Sequence, residues 1–307
     1  MLTFNPEIYG SKARRSALAD YLELLVLRRS EPIRKGAIAD LVEQNEDQVL
    51  YSDHFIPVHG SRTVPTAGEV ADSVFALLAY RSDTLGDAYP FNSSFDRIES
   101  VTLVPHHSQY LLFLGITVAH AYGLVAGNDV ASVFEYAVER AVATKVGLGT
   151  AFWRHHLAGR SFWEAVASAA QHSELEAVAP GVNVAVSAWA KDEGLDVLGH
   201  LWWNDDRQGR WVFIGQATVG KSDTWEKKAT DVRAPQWRKL LGLEFYPQRF
   251  LAVPHHIEAD HWADLLYHES VLLDRLRLSQ ALEEVTPEEA AYVDLVLTAD
   301  VEPLFPY

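Results

Sequence analysis

The sequence predicts an α/β protein made of a mostly helical N-terminal part and a C-terminal part built on a sheet. Helical periodicity dominates the first 150 residues, whereas the remainder alternates helices with short apolar runs that are typical of strands. All nine tryptophans lie between Trp153 and Trp262, and this change in composition marks a boundary near residue 150. We therefore expect a helical domain over residues 1–150 and an α/β domain over residues 151–307.

Apolar residues at helical spacing predict the helices of the first part, with glycine and proline between them as turn signals. These helices are expected over residues 16–29, 33–44, 68–80, 110–124 and 129–142. The uncharged segment 110–127 is long enough to be considered as a membrane span. His120 and three glycines lie inside it and basic flanks are missing, so it is better explained as a buried helix.

The second part changes from helical to strand-like patterning. In chain order, the patterns predict a helix over 162–171, a strand over 195–203, a turn over 204–209, a strand over 211–216, a helix over 223–241 interrupted near Pro235, a strand over 250–253, and helices over 260–278 and 287–297. The two strands around the turn form a predicted hairpin. This order of elements favours an α/β layer arrangement over a β-sandwich.

The composition excludes several classes of protein. There is no cysteine, which excludes disulfides, thiol nucleophiles and cysteine-bound metals. A formal charge of −16 argues against a protein that coats nucleic acid over its whole surface. The N-terminus has no apolar signal-peptide core, so we expect a cytoplasmic protein that makes no contact with a membrane.

One motif predicts nucleotide binding. Residues 215–222, GQATVGKS, match the P-loop pattern G-x-x-x-x-G-K-[ST] and follow a predicted strand. Few residues remain after Ser222 to complete a nucleotide-binding sheet. The next apolar run ends in Pro254-His255-His256, where such a protein needs an acidic residue. A P-loop nucleotide-binding protein is therefore an alternative rather than the preferred interpretation.

The preferred interpretation uses the two hairpin strands together. Asp196 opens the first strand, Gln216 ends the second, and Lys221 follows five residues later. Mg²⁺ prefers oxygen ligands and usually takes only one or two from the protein, so these two side chains on neighbouring strands can converge on one ion. A nearby lysine can orient water or stabilise negative charge in the transition state. This set is chemically sufficient for phosphodiester hydrolysis.

These residues also carry a family resemblance. The pattern D-x-G-φ-D-φ-φ at residues 192–198, followed by a hairpin and φ-φ-G-Q-x-x-x-G-K ending at Lys221, resembles the PD-(D/E)XK nuclease superfamily. Mrr-like restriction endonucleases and bacterial phage-defence nucleases are the members it resembles most. The resemblance implies a restriction-endonuclease-like mixed sheet flanked by helices. It also implies Mg²⁺ or Mn²⁺ held by Asp196 and Gln216, DNA as the substrate, and a role in anti-phage defence.

The chain departs from the family pattern at the lysine. The family's lysine normally stands two residues after the Glu or Gln, and Thr218 occupies that position here. Lys221 is then the expected catalytic amine, with Lys228 as a further candidate. The superfamily often adds a glutamate from the helix before the hairpin, for which Glu174 and Glu176 are the candidates.

Segment 221–239 carries six basic and three acidic residues, an exception to the acidic total. Lys227, Lys228 and Arg233 are therefore expected to contact DNA. The acidic tail indicates that a protein partner, a sensor or an ATPase of a defence system, supplies targeting or activation. A homo-oligomer is also compatible with the sequence. The alternative of a different class is a non-catalytic scaffold or interaction subunit of a defence complex that keeps the same fold.

Overall fold

A computed structural model describes residues 1–5, 7–29, 31–44, 65–101, 106–175, 177–178, 192–201, 210–268 and 270–302. The architecture is mixed α/β with two sheets, which confirms the predicted class. In the first half the helices are α1 (Arg14–Arg29), α2 (Lys35–Gln44), α3 (Ala67–Leu85), α4 (Gln109–Tyr122) and α5 (Val130–Val146). A three-stranded antiparallel sheet of β1 (Ile33–Arg34), β2 (Phe91–Ser93) and β3 (Arg97–Ser100) lies among them in the order β1-β3-β2.

The second sheet has five strands in the order β4-β5-β6-β7-β8. They are β4 (Gly147–Ala151), β5 (Val197–Leu201), β6 (Val212–Ala217), β7 (Gln248–Ala252) and β8 (Ser270–Leu273). The first three strands pair antiparallel, and β6, β7 and β8 pair parallel, so the sheet is mixed. The predicted hairpin is present as β5 and β6, with Leu198 opposite Ile214, while the predicted turn lies outside the described residues.

Helices cover both faces of this sheet. They are α5, already given, and α6 (Phe162–His172), α7 (Trp225–Asp231), α8 (Ala234–Leu240), α9 (Ala259–Leu266) and α10 (Arg275–Ala281). The last helix, α11 (Pro287–Thr298), packs on α4. Alternation along the strands directs Leu198, Val212 and Ile214 into a core shared with α6 and α8. Val197 belongs to the larger core on the other face, to which α5 contributes.

Two glycines let α5 lie directly on the sheet. A Cβ at Gly149 of β4 would clash with the carbonyl oxygen of Glu139, and one at Gly199 of β5 would clash with Val142, both on α5. Glycine is the residue that permits such a close backbone approach. The closeness matters for the site described below, because α5 carries a carboxylate toward the start of β5.

The compositional boundary near residue 150 falls within the five-stranded sheet. Residue 150 lies inside β4, which pairs along its whole length with β5. The largest buried core draws on α1 to α5 and also on Val197, Phe250 and the helix α11. The change in composition reflects where tryptophan occurs in the sequence, whereas the hydrophobic contacts extend across residue 150.

Several elements differ from the sequence-based expectation. The helix expected over 260–278 is in fact α9, β8 and α10, because Ser270–Leu273 joins the sheet beside β7. An isolated apolar run of four residues cannot be distinguished from a helical face by its spacing alone. The helix expected over 223–241 is divided into α7 and α8, with Pro235 in the first turn of α8, where its missing N–H costs nothing.

Candidate active site

The hairpin brings Asp196 to the strand that carries Gln216. Asp196 directly precedes β5, and its N–H donates to the carbonyl of Gly215 over 3.0 Å. Its carboxylate oxygen Oδ2 accepts from the N–H of Ala217, the residue after Gln216, over 2.9 Å. Asp196 and Gln216 are therefore adjacent across the pair of strands, with the Asp196 carboxylate fixed by the backbone of β6.

The Gln216 side chain contacts a lysine, and that lysine is Lys228. Gln216 is 3% exposed. Its Oε1 accepts from Lys228 Nζ over 3.0 Å, while its Nε2 donates to the carbonyl of Gly194. Lys228 lies on α7 and its Nζ is 3.8 Å from Asp231 Oδ2. Both ends of the Gln216 amide are thus engaged, so this side chain positions the ammonium group rather than presenting a free oxygen to an ion.

The structure places Lys221 elsewhere. Its side chain is exposed, and its carbonyl accepts from the N–H and hydroxyl of Thr224 at the start of a short 3-10 turn. Its charge acts on His120, whose pKa is lowered by burial and by Lys221. Among the charged groups that act on Asp196, the lysine is Lys228. The sequence spacing favoured Lys221, but α7 folds back and brings the later lysine to the strand.

The remaining predicted residues lie outside this contact group. Glu174 forms an ion pair with Arg210, with 3.5 Å between its Oε2 and Arg210 Nη2. Arg210 precedes β6, and a strand rise of ~3.3 Å per residue puts roughly 20 Å between it and Gln216. Glu174 therefore lies toward the opposite end of the strand, and Glu176 falls outside the described residues. Lys227 and Arg233 are exposed at the two ends of the segment that carries Lys228.

The structure adds a carboxylate that the sequence reading missed. Glu135 lies on α5, and the charge on Asp196 is among the causes that raise its pKa, so the two acids lie near one another. The resemblance implies a glutamate on the helix before the paired strands. The sequence does not show β4 as a strand, so it predicts that helix over 162–171. Recognising β4 as the first strand would have pointed to α5 and to Glu135.

Burial and crowding raise the pKa values of both acids. The pKa of Asp196 is raised to about 7, mainly by burial and also by Asp192 and Asp231, against the opposing Ala217 N–H and the Lys228 charge. The pKa of Glu135 is raised to about 8, first by burial and then by Asp196 and other nearby aspartates. A site that holds acids partly protonated near neutral pH lacks compensating positive charge, and a bound divalent cation supplies such charge.

Asp196 and Glu135 offer the type of oxygen donor that Mg²⁺ or Mn²⁺ takes from a protein. In the part of the chain that the structure describes, no group of three or more His, Asp or Glu side chains is arranged to hold a metal ion by itself. Mg²⁺ keeps several waters and needs only one or two carboxylates, a requirement that Asp196 and Glu135 meet with hard oxygen donors. Gln216, the other ligand that the sequence predicts, has a side-chain oxygen that accepts from Lys228 Nζ.

The segment that matches the P-loop pattern has a different geometry. Gly215 lies within β6, paired with β5 and β7, and a Cβ there would clash with the Phe250 ring. A phosphate cradle needs backbone N–H groups that point to the ligand. Several amides of the segment already donate within the protein, namely those of Ala217, Thr218, Gly220 and Ser222. This pairing disfavours the nucleotide-binding alternative.

None of the protein-family models, curated proteins and solved structures with which the chain was compared matches it. The described helices include none that is long and apolar enough to cross a membrane. The apolar segment that begins at residue 110 forms most of α4, whose residues 110–119 are all buried. Any functional conclusion therefore rests on the geometry around Asp196.

Proposed function

We propose that the protein is a metal-dependent nuclease that hydrolyses phosphodiester bonds of DNA. The observation that carries this proposal is the grouping of Asp196, Glu135 and Lys228 at one end of the β5–β6 pair, with Gln216 holding the lysine. Two oxygen donors for a cation and a separate ammonium group are the parts that phosphodiester hydrolysis needs. The mixed sheet flanked by helices is also what the resemblance to PD-(D/E)XK nucleases implies.

The roles of the side chains follow from their contacts. When bound, a divalent cation polarises the phosphate and lowers the pKa of an attacking water. Asp196, fixed by the Ala217 N–H, and Glu135, on the facing helix, would hold that cation. Lys228 donates toward the phosphate or the water, where its charge stabilises the negative charge that develops. Gln216 keeps the Lys228 ammonium at the strand end.

The surface next to this group supplies cations for the DNA backbone. Lys227 on α7 and Arg233 before α8 are exposed, and each is close in the chain to Lys228. Contacts of this kind with phosphates position nucleic acid without reading its sequence. The acidic carboxylates and the total charge of −16 oppose DNA binding elsewhere on the protein. This contrast supports a partner, such as the sensor or ATPase of an anti-phage defence system, that delivers DNA to the site.

Nicking of supercoiled plasmid in Mg²⁺ or Mn²⁺, with EDTA as the blank, tests the nuclease proposal. We expect Asp196→Asn to lower the single-turnover rate at least ~100-fold and Glu135→Gln at least ~10-fold, because each removes a charged oxygen donor. Asparagine keeps an oxygen for the Ala217 N–H, so the fold should survive. Glu174→Gln is the matched control, since that carboxylate pairs with Arg210 outside the site.

Two results would overturn the proposal. Nicking by folded Asp196→Asn protein at the wild-type rate would remove Asp196 from the chemistry. Wild-type protein that is inert on plasmid, linear duplex and single-stranded DNA in both metals would instead favour the non-catalytic scaffold of a defence complex. Circular dichroism and thermal denaturation of each variant separate loss of chemistry from loss of fold.

A further inference from the structure

A cavity with mostly apolar walls lies away from the carboxylate site. It has a volume of about 640 Å³ and lies between α3 and the segments that carry α9 and α10. None of the residues lining it belongs to the group around Asp196. Its size lies within the ~300–1,000 Å³ of typical small-molecule sites. The proposed nuclease chemistry has no use for it.

The deepest polar groups of this cavity are His256 and Asp274. They are 4% and 3% exposed, and His256 Nδ1 lies 3.7 Å from Asp274 Oδ2. Asp274 is already engaged, because its two oxygens accept from the N–H groups of Ile257 and Arg277. His256 Nδ1 has no hydrogen-bond partner among the described residues. Because Asp274 already accepts two backbone hydrogen bonds, the His256 ring is the polar group at the base of the cavity that keeps unused hydrogen-bonding capacity.

The walls of the cavity are aromatic and apolar. Tyr80, on α3, meets the His256 ring edge-on with 5.9 Å between the ring centroids, and 56% of its surface is exposed. Trp262, on α9, forms another part of the wall, and Leu77 contributes a buried apolar surface. A planar ring can stack or pack edge-on against such side chains at little entropic cost to the protein.

The rim supplies positive charge. Arg277 is exposed, and its guanidinium lies over the Trp262 ring, 4.6 Å from the centroid. One of its nitrogens donates to the carbonyl of Leu272, which fixes the group in place. The other arginine of the lining, Arg15, is held by Glu258 over 2.7 Å. Arg277 is therefore the cation that this cavity offers to an incoming anion.

We propose that this cavity binds a planar aromatic anion. Its ring would lie against Tyr80 and Trp262, a ring heteroatom or substituent would bond His256, and its negative group would pair with Arg277. A nucleoside monophosphate and an aromatic carboxylate share this chemistry. The probes are therefore adenosine 5′-monophosphate and indole-3-acetate, and adenosine and inorganic phosphate serve as half-ligands that each lack one feature.

Isothermal titration calorimetry on the full chain tests the site. We expect saturable binding of at least one aromatic anion, with its half-ligand at least ~10-fold weaker. Arg277→Gln and Trp262→Leu should each weaken that binding at least ~10-fold. Lys239→Gln removes an exposed cation elsewhere and should leave it unchanged. If His256→Gln, which replaces a buried group, fails to fold, the two rim variants still decide the question.

Three outcomes would overturn the proposal. One is the absence of binding by either aromatic anion at millimolar concentration. Another is binding that Arg277→Gln and Trp262→Leu leave intact. The last is nucleotide binding that disappears in Lys221→Ala and persists in Arg277→Gln. Such a result would assign the nucleotide to the P-loop-like segment. None of these results depends on nuclease activity.

Discussion

Replacing Lys228 with methionine is the sharpest test of the site geometry. Methionine keeps most of the side-chain volume and removes the ammonium that lies 3.0 Å from Gln216 Oε1. Loss of a cation that stabilises the transition state typically lowers the rate by ~100- to 1,000-fold. We expect a decrease of that size in the single-turnover rate of DNA cleavage at saturating DNA. A lysine that only touched the DNA backbone would mainly weaken binding and its dependence on salt.

The same substitution should also move the pH profile. The Lys228 charge lowers the pKa of Asp196, which burial and neighbouring aspartates raise to about 7. Removing that charge raises this pKa further, so the acidic limb of the rate profile should move to higher pH. Because the Lys228 side chain is 40% exposed, solvent screens the interaction, and we expect this upward shift to be small.

Lys221→Met and Lys227→Met are the matched controls, since both lysines are exposed and neither contacts Gln216 in the structure. Their turnover rates at saturating DNA should stay within ~3-fold of the wild-type rate. Cleavage by Lys228→Met at the wild-type rate would refute the assignment. Loss of turnover in Lys221→Met alone would restore the lysine that the sequence spacing favoured.

Three further predictions concern stability. Asp196→Asn and Glu135→Gln should raise the Tm at pH 8 without divalent cations and should not raise it near pH 4. In the folded protein the pKa of each carboxyl lies above its ordinary value. The stability that the protonated carboxyls contribute is therefore lost as pH rises through about 7 for Asp196 and about 8 for Glu135. A pH dependence of Tm that is the same in the variants and in wild-type protein would contradict this. Millimolar Mg²⁺ at pH 8 should raise the Tm of wild-type protein but not the Tm of Asp196→Asn. Any rise in Tm caused by ATP should persist in Lys221→Ala. A rise caused by ATP that disappears in Lys221→Ala would favour a P-loop. Gly115→Ala should lower the free energy of unfolding by ~1–3 kcal/mol, because a Cβ there clashes with the backbone of α11. In Gly36→Ala the added Cβ meets open space on a helix, so this control should be neutral or stabilising. Urea titrations measure both effects.

Patterns of local origin were readable from the sequence. Helical spacing located α1 and α11, and the apolar runs on each side of a polar turn located β5 and β6. The hairpin then placed Asp196 beside Gln216, because strands that follow one another in the chain commonly pair. That part of the site follows from contacts between residues about twenty apart in the chain.

Tertiary structure alone decided the other members of the site. Glu135 lies near Asp196 because Gly149 and Gly199 let α5 pack closely on the sheet, and no spacing along the chain predicts that proximity. Lys228 rather than Lys221 contacts Gln216, because α7 turns back over β6. The lysine that is farther from Gln216 in the sequence is therefore the one that bonds it in the structure. The sequence of β4 is typical of a glycine-rich boundary, and that of β8 fits part of a helix. Both segments are strands because their partners in the sheet satisfy their backbone hydrogen-bonding groups. Local propensity determines which structures a segment can adopt. The packing of segments that are distant in the chain determines which of these structures it does adopt and which side chains come together.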